Sequence, residues 1–266
     1  MKYFTKLQFS LLSALILLLL GTSNALTASS TSYQSQYLNG VAPVILNAKL
    51  TARTRELCFD NFTVMHSGIS KTPLWSAEHL TRANIFEARQ LKRHNDFHHE
   101  NQLFPGDRAE LTDYKKSGFD RGHMAPSADM PSEEAQQQSF TLANMVPQNP
   151  DNNRHLWEGI ESAVRNLAIR RGELYIISGP LFIGDNLKRL NGRLLVPSHL
   201  YKIVFDPVKN SGAAYFVKNE PGEEWQVMSI SQLEKIAGID FFPRLSNSIK
   251  QKKLMLPSPR EHQNFD

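Results

Sequence analysis

The amino-acid sequence predicts an α+β fold in which helices flank a largely antiparallel, mixed sheet. The clearest helix runs from Asp151 to Arg171, because apolar residues recur there at helical spacing and Gly172 ends the pattern. Three β-rich runs follow this helix, LYIISGPLFI, LLVPSHLYKIVFD and AAYFVKN. A mixture of strand-rich and helical runs of this kind is typical of an α+β domain.

Weaker signals predict the remaining elements. Residue types indicate each element, and a Pro or Gly often indicates where it ends, because Pro cannot continue a central strand ladder. In chain order, the predicted elements are a strand over Leu57 to His66, a helix over Thr81 to Arg93, a strand over Ser117 to Met124, a short helix opening at Pro131, a strand over Phe140 to Val146 ended by Pro147, and a helix over Ser231 to Gly238.

The composition is that of an ordinary globular protein, with 266 residues, 41% hydrophobic and 21% charged. The chain shows no internal repeat and no strong linker, which favours one domain over residues 41–250. We expect a flexible leader at 26–40 and a loose C-terminal tail at 251–266. Cys58 is the only cysteine, so no internal disulfide can form, and its apolar surroundings predict a small buried residue.

The first 25 residues have the features of a secretory signal peptide. Lys2 and Lys6 form a positive start, the run LLSALILLLL is apolar, and small residues lead to a cleavage site near Ala25. The alternative is an uncleaved membrane anchor, but the apolar run is shorter than the ~20 residues that span a bilayer. We therefore expect export, to the periplasm or the medium.

The net charge of +4 is modest, and the basic residues are grouped. Such groups can follow a phosphate backbone, although most charged runs are simply solvated surfaces. The groups are Arg89, Lys92, Arg93 and His94, then Lys188, Arg189 and Arg193, then Lys250, Lys252 and Lys253.

The stretch Asp120-Arg121-Gly122-His123 carries the first chemical signal. Side chains alternate along a strand, so Arg121 and His123 are expected on one face. A guanidinium holds anionic oxygens, and a neutral imidazole beside it can take a proton from water. Asp120 would then tie the strand to its surroundings, and Gly122 would leave room for a ligand or another backbone. The alternative is an ordinary surface turn.

A second signal lies in the predicted long helix. Asn153, Trp157 and Glu161 are spaced four residues apart and would line one side of it. Asn153 and Glu161 would be about 12 Å apart along the helix axis, too far for both to bind one ion directly. A hard cation such as Mg²⁺ accepts an amide oxygen and keeps several waters. The spacing therefore permits Asn153 as a direct ligand, with Glu161 acting through water or basic side chains.

Taken together, these residues resemble the motifs of the DNA/RNA non-specific endonuclease family, the ββα-metal nucleases. The resemblance rests on Asp120 to His123, on Asn144-Met145-Val146-Pro147-Gln148, and on Asn153 with Trp157 and Glu161. It covers roughly residues 55–245 and is densest at 117–161. It implies a ββα-metal (His-Me finger) core made of two strands and the long helix.

The resemblance also implies roles at matching positions. His123 would be the base that activates the attacking water, and Asn153 would hold Mg²⁺, with Mn²⁺ or another divalent cation as a substitute. Arg121 would contact the phosphate.

Further positions follow from the same resemblance. Glu161 would act on the metal site without binding the ion directly. Asn144 and Gln148 would orient the site, and Gln148 would also contact the substrate. Arg93 is the candidate for a second phosphate-binding arginine, in a segment that departs from the family pattern.

The sequence thus predicts an exported, metal-dependent, sugar-non-specific endonuclease. DNA and RNA would be substrates through phosphate and sugar contacts, without sequence-specific recognition and without stable membrane association after signal cleavage. The sequence leaves open whether the protein forms a homodimer. Two alternatives are a catalytically inactive polyanion-binding module of the same fold, and a zinc hydrolase that uses His98, His99 and Glu100.

Overall fold

The structure, a computed structural model, describes residues 33–259. Its strands, in chain order, are β1 (Val44–Ile45), β2 (Thr54–Cys58), β3 (Thr63–Ser67), β4 (Thr72–Thr81), β5 (Asp120–His123), β6 (Met145–Gln148), β7 (Glu173–Leu181), β8 (Arg189–Leu190), β9 (Leu194–Leu195), β10 (His199–Asp206), β11 (Ser211–Lys218), β12 (Trp225–Met228) and β13 (Ile239–Asp240). Its α-helices are α1 (Arg82–Ala88), α2 (Leu111–Tyr114), α3 (Glu133–Ser139), α4 (Glu158–Arg171), α5 (Ile230–Ala237) and α6 (Asn247–Gln251).

A seven-stranded sheet forms the centre of the described residues, in the order β12-β11-β10-β7-β4-β3-β2. Neighbouring strands in this sheet are antiparallel throughout. Shorter two-stranded ribbons, including β5 with β6, lie outside it. The predicted α+β fold with a largely antiparallel sheet is therefore confirmed.

Alternation along the strands gives the sheet two buried faces. Helix α4 packs through Ile160 and Val164 on one face, where Ile176 of β7 and Leu200 of β10 belong to the same apolar cluster. The opposite face is covered by α5 and by the segment around β13, in a second cluster that contains Trp75. The face beneath α4 is the one that supports the site.

The prediction of one strand over Leu57 to His66 is wrong in one respect, the number of strands. The segment forms two antiparallel strands, β2 and β3, joined by a turn in which the Phe59 N–H bonds the Phe62 carbonyl. Cys58 was also expected to be buried and is exposed. Leu57 and Cys58 point to opposite sides of β2, and Leu57 takes the core side.

The expected strand over Phe140 to Val146 begins later. Residues Leu142–Asn144 form a 3₁₀ turn, and the strand is β6, in which Pro147 pairs with Arg121. Pro147 does not end this strand, because a two-stranded ribbon can accept a residue that donates no ladder hydrogen bond.

Both ends of the predicted domain are more ordered than expected. Part of the predicted leader forms 3₁₀ turns at Tyr33–Gln36 and Leu38–Gly40, and the buried Tyr37 hydroxyl donates to Glu56 at 2.8 Å. In the predicted tail, Leu254 and Leu256 are buried in the core cluster beneath α4. Apolar side chains spaced by two in an extended segment explain this packing.

The expected signal peptide at 1–25 lies outside the described residues. Within residues 33–259, no helix is both long enough and apolar enough to cross a bilayer.

Candidate active site

The site forms where the start of the long helix docks on the β5–β6 ribbon. The Trp157 indole donates to the His123 carbonyl at 3.3 Å, and the Asn153 amide Nδ2 donates to Asp120 Oδ2 at 3.0 Å. Trp157 is only 1% exposed. Two strands and a helix are thus fixed to each other by contacts that involve the DRGH residues themselves.

The helix differs from its prediction at its start. Residues Asn152–Trp157 are π-helical, and the regular helix α4 begins at Glu158. π-Helical turns are rare and are frequent at functional sites. Here the turn is fixed by the buried Asn152, which accepts from Gln148 at 2.8 Å and donates to the Lys218 carbonyl at 3.0 Å. Asn153 and Glu161 both face the cleft described next, whereas Trp157 lies beneath it.

A cleft of about 1120 Å³ lies between this helix and the segments before β5. Its lining brings together the predicted Arg93, Arg121, His123, Asn153 and Glu161. The cationic side chains in the lining are Arg93, Lys115, Arg121, Arg154 and Arg165, and the acidic ones are Asp96, Asp120, Glu158 and Glu161.

His123 sits in an aromatic enclosure and is 9% exposed. Its ring meets Phe140 edge-on at 4.9 Å and Phe97 at 5.8 Å between centroids. Its Nε2 is enclosed and has no hydrogen-bond partner among the described residues. Burial, followed by the positive charge of Arg93, lowers the pKa of His123 to about 3. The imidazole is therefore neutral at pH 7 and can accept a proton.

The same aromatic rings support two arginines. The Arg121 guanidinium lies 4.1 Å from the Phe97 ring centre, and that of Arg93 lies 5.3 Å from the Phe140 ring centre. Stacking of this kind restrains a long side chain without using its N–H donors, although Arg93 Nε also donates to Asn95 at 2.8 Å. Arg93, assigned from a poorly matching segment, thus reaches the cleft, while Phe97 and Phe140 were missed in the sequence.

Asp120 is occupied by the start of the helix, which is the tying role expected of it. Arg154 donates to it twice, from Nε and Nη2, at 2.8 Å each, in addition to the bond from Asn153. Burial alone would raise the pKa of Asp120, but the hydrogen bonds from Arg154 and Asn153 outweigh burial and lower it. Both carboxylate oxygens of Asp120 thus accept hydrogen bonds.

The contact with Asp120 also orients the Asn153 amide. A carboxylate only accepts hydrogen bonds, so the amide nitrogen must face Asp120 and the amide oxygen must face away from it. Among residues 33–259, no group of three or more His, Cys, Asp or Glu is placed to hold a metal. The Asn153 amide oxygen could serve as a ligand for a hydrated, hard divalent cation.

Glu161 lies at the helix wall among buried charges. Burial raises its pKa to about 7, although the nearby Lys202 and Arg165 act in the opposite direction. Arg165 donates to Asp129 at 3.0 Å and lies 3.7 Å from Glu158. Sequence reasoning missed Arg165, although its spacing of four from Glu161 on one helix could have indicated it.

A buried polar layer supports the floor of the site from the sheet. The Lys202 ammonium donates to Ser178 at 2.6 Å and contacts the Met124 carbonyl, directly after His123, at 3.5 Å. Glu78 is buried near it, and burial raises the pKa of Glu78 well above its ordinary value.

Asn144 and Gln148 lie behind the site and are fully buried. Asn144 accepts from Ser76 and from the Ala125 N–H, and donates to the carbonyls of Ala125 and Ser139. This bonding holds the turn after His123, so Asn144 positions the site without lining the cleft.

The assignment of Gln148 to substrate contact needs correction. Its side chain packs on Gly122, where an added Cβ would lie 1.9 Å from Gln148 Oε1, and it donates to Asn152. The space left by Gly122 is therefore filled by Gln148, which positions the helix start and does not reach the cleft.

Two other sequence hypotheses find no support in the geometry. His98, His99 and Glu100 do not converge: Glu100 is buried and accepts from Thr141, while His99 bonds Asn101. Lys250, from the third basic group, is buried between Glu234 and Asp240. Neither a zinc centre nor a phosphate track is formed by these residues.

A ribbon that carries a histidine, packed on a helix that presents an asparagine, defines the ββα-metal class of nucleases. Residues 44–248 match the model of the family described as DNA/RNA non-specific endonuclease. The chain belongs to that family.

Similar proteins agree with this assignment. A protein named "Nuclease" from Nostoc sp. is 30% identical over 262 residues, covering 90% of this chain and 93% of the relative. "Nuclease EXOG, mitochondrial" from Danio rerio is 34% identical over 212 residues, or 70% of this chain; the match spans only 60% of that relative's length.

A crystal structure of the EndoG/EndoGI complex contains a chain that superposes with a TM-score of 0.70 at 21% identity, covering 89% of this chain and 100% of that one. At this identity the likeness concerns the fold alone.

Proposed function

We propose that the protein is an exported, metal-dependent endonuclease that hydrolyses phosphodiester bonds of DNA and RNA without sequence preference. The observation that carries the proposal is a neutral, enclosed His123 that lines the same cleft as Arg121 and Asn153. A base, an anion-binding donor and a ligand for a hard cation are the groups that this hydrolysis needs.

His123 acts as the general base. Since Nε2 is enclosed, Nδ1 is the ring nitrogen that takes the proton from the attacking water. The depressed pKa keeps the ring unprotonated across the neutral range, so the base form is the dominant form. General-base catalysis of this kind is worth about 10²–10⁴-fold in rate.

Asn153 would hold the cation through its amide oxygen. A bound Mg²⁺, or Mn²⁺ in its place, supplies Lewis-acid stabilisation of the charge that develops on the phosphate and the leaving oxygen. Arg121 and Arg93, restrained on their aromatic rings, bind the remaining phosphate oxygens. Glu161 and Arg165 complete the wall behind them.

The cleft favours recognition of the sugar-phosphate backbone. Its cationic side chains suit phosphates, and a backbone-directed site accepts any base sequence. Activity on both DNA and RNA follows if the site does not discriminate between the two sugars.

Export rests on the signal-like first 25 residues, and mass spectrometry of the mature protein should show cleavage near Ala25.

A competing function is an inactive polyanion-binding module, which the basic side chains of the cleft would also serve. A nuclease assay separates the two. We expect plasmid, single-stranded DNA and RNA to be cut with Mg²⁺ or Mn²⁺ and left intact with EDTA. An Asn153→Ala variant should need at least about ten-fold more cation for half-maximal activity.

A shift of the plasmid band without cutting, in every cation tried, would establish the binding module instead. Restoration of activity by zinc alone would also contradict the proposal.

A further inference from the structure

Asp120 is a carboxylate in direct contact with the proposed metal ligand, Asn153. Its Oδ2 accepts from Asn153 Nδ2 at 3.0 Å, and both residues line the cleft. A hard dication prefers a carboxylate to a neutral amide. Asp120 would therefore compete for the ion if its oxygens were free.

Arg154 keeps those oxygens engaged. It directly follows Asn153 in the chain and donates Nε to Oδ2 and Nη2 to Oδ1, both at 2.8 Å. Paired, charged hydrogen bonds of this geometry are among the stronger side-chain contacts. The Arg154 side chain is 65% exposed and that of Asp120 is 21% exposed. Arg154 thus lies at the surface and covers a partly buried carboxylate at the edge of the cleft.

We propose that Arg154 withholds the Asp120 carboxylate from the metal ion and thereby keeps Asn153 as the direct protein ligand. This inference rests on the metal site of the proposed function. An ion held by an amide oxygen and water retains its charge for the phosphate oxygens, whereas a bound carboxylate would partly neutralise it. Arg154 is a positioning residue in this scheme, because it acts through Asp120.

The test is a double-mutant cycle read by Mn²⁺ binding, measured by electron paramagnetic resonance on the whole protein without substrate. Arg154→Ala should bind Mn²⁺ at least about ten-fold more tightly than the unmodified protein, because the freed carboxylate becomes a ligand. In an Asp120→Asn background, the same Arg154→Ala change should alter the affinity by less than about two-fold.

Arg170→Ala is the matched control, since Arg170 is an exposed arginine near the other end of the same helix. It should leave both Mn²⁺ binding and turnover unchanged. Arg154→Ala should lower turnover at saturating Mn²⁺ by about ten-fold, despite its tighter binding. Circular dichroism of each variant confirms that it is folded.

Three results would overturn the proposal. Unchanged or weaker Mn²⁺ binding in Arg154→Ala would show that the arginine withholds nothing. An equal gain with and without Asp120 would assign the effect to the lost positive charge alone. Absence of Mn²⁺ binding in the unmodified protein would remove the site. A different result is that the cycle gives the expected Mn²⁺ affinities and the unmodified protein cuts no nucleic acid. That result would support the role proposed for Arg154 and refute the proposed function.

Discussion

The two faces of the central sheet bury different kinds of side chains, although the same strands supply both. The face beneath the site contains Ser76, Glu78, Ser178 and Lys202, all buried. The opposite face is apolar, and its buried residues from β4, β7 and β10 include Trp75, Ala77, Ile177, Tyr201 and Ile203. Alternation along each strand places these two sets on opposite sides.

The difference separates stability from function. Buried polar and charged groups are costly unless they are paired, whereas apolar burial stabilises the fold directly. The polar set meets the segment that carries His123, through Ser76 on Asn144 and Lys202 on the Met124 carbonyl. We infer that apolar residues stabilise the fold on both faces, and that the polar set present only beneath α4 positions the site.

The sharpest test of this separation is His123→Ala. We expect turnover to fall by about 10²–10⁴-fold or more, because the base is lost. Nucleic-acid binding should be largely retained, since the arginines remain. Plasmid cleavage and a binding titration measure the two effects. Cleavage at the unmodified rate would remove His123 from the mechanism.

The matching change on the other face is Ile203→Ala, one residue from Lys202 and fully buried in the opposite cluster. It should lower the free energy of unfolding by about 2–5 kcal/mol, because a large cavity opens. The turnover of the folded protein at low temperature should stay within about two-fold. Urea denaturation and a nuclease assay check both. A large loss of turnover without a loss of stability would break the comparison.

Gly122→Ala tests the contact between the ribbon and the helix start. A Cβ at this position would lie 1.9 Å from Gln148 Oε1 and 2.7 Å from its Cβ. We expect a loss of about 1–3 kcal/mol in the free energy of unfolding from this overpacking. The double variant Gly122→Ala/Gln148→Ala should lose less than the two single variants combined, because the clash is relieved. Additive losses in urea denaturation would argue against the contact.

The pH dependence of activity gives the smallest effect and separates His123 from Glu161. Since burial raises the pKa of Glu161 to about 7 while that of His123 is about 3, an acid limb of kcat/KM near pH 7 should belong to Glu161. The ionised carboxylate accepts hydrogen bonds that the protonated one cannot. Glu161→Gln should therefore lower kcat/KM at high pH and abolish the limb. Persistence of the limb in this variant would assign it elsewhere.

The same two groups affect stability with opposite signs. For Glu161, whose ordinary pKa is 4.5, the contribution is full below that value and is lost as the pH rises through about 7. For His123, whose ordinary pKa is 6.5, the contribution is full above that value and is lost as the pH falls towards 3. Thermal unfolding of the Glu161→Gln and His123→Ala variants across pH 3–8 should show these trends removed.

Much of the site was predictable because its signals are local. Each signal lies within a short run of consecutive residues: the DRGH stretch with its strand alternation, and the helix that carries Asn153 and Glu161. Their convergence on one cleft is what the structure adds.

The errors have a common physical origin in tertiary contacts. The π-helical turn depends on Asn152 bonding Gln148 and Lys218, which local spacing does not encode. The aromatic supports of the arginines come from segments distant in the chain, Phe97 and Phe140. The packed tail depends on Leu254 meeting a core formed by earlier strands.

The π-helical turn at Asn152–Trp157 also constrains how the chain can change in length. Such a turn contains one residue more than the α-helical turn it interrupts. Deleting a single residue within it would let the helix close into regular α-helical form, because the deletion removes the extra residue that the turn contains. Asn152 and Asn153 lie within this turn, so the shortening would alter their positions relative to Gln148 and Asp120. We therefore expect a one-residue deletion in this turn to be tolerated by the fold but to impair catalysis.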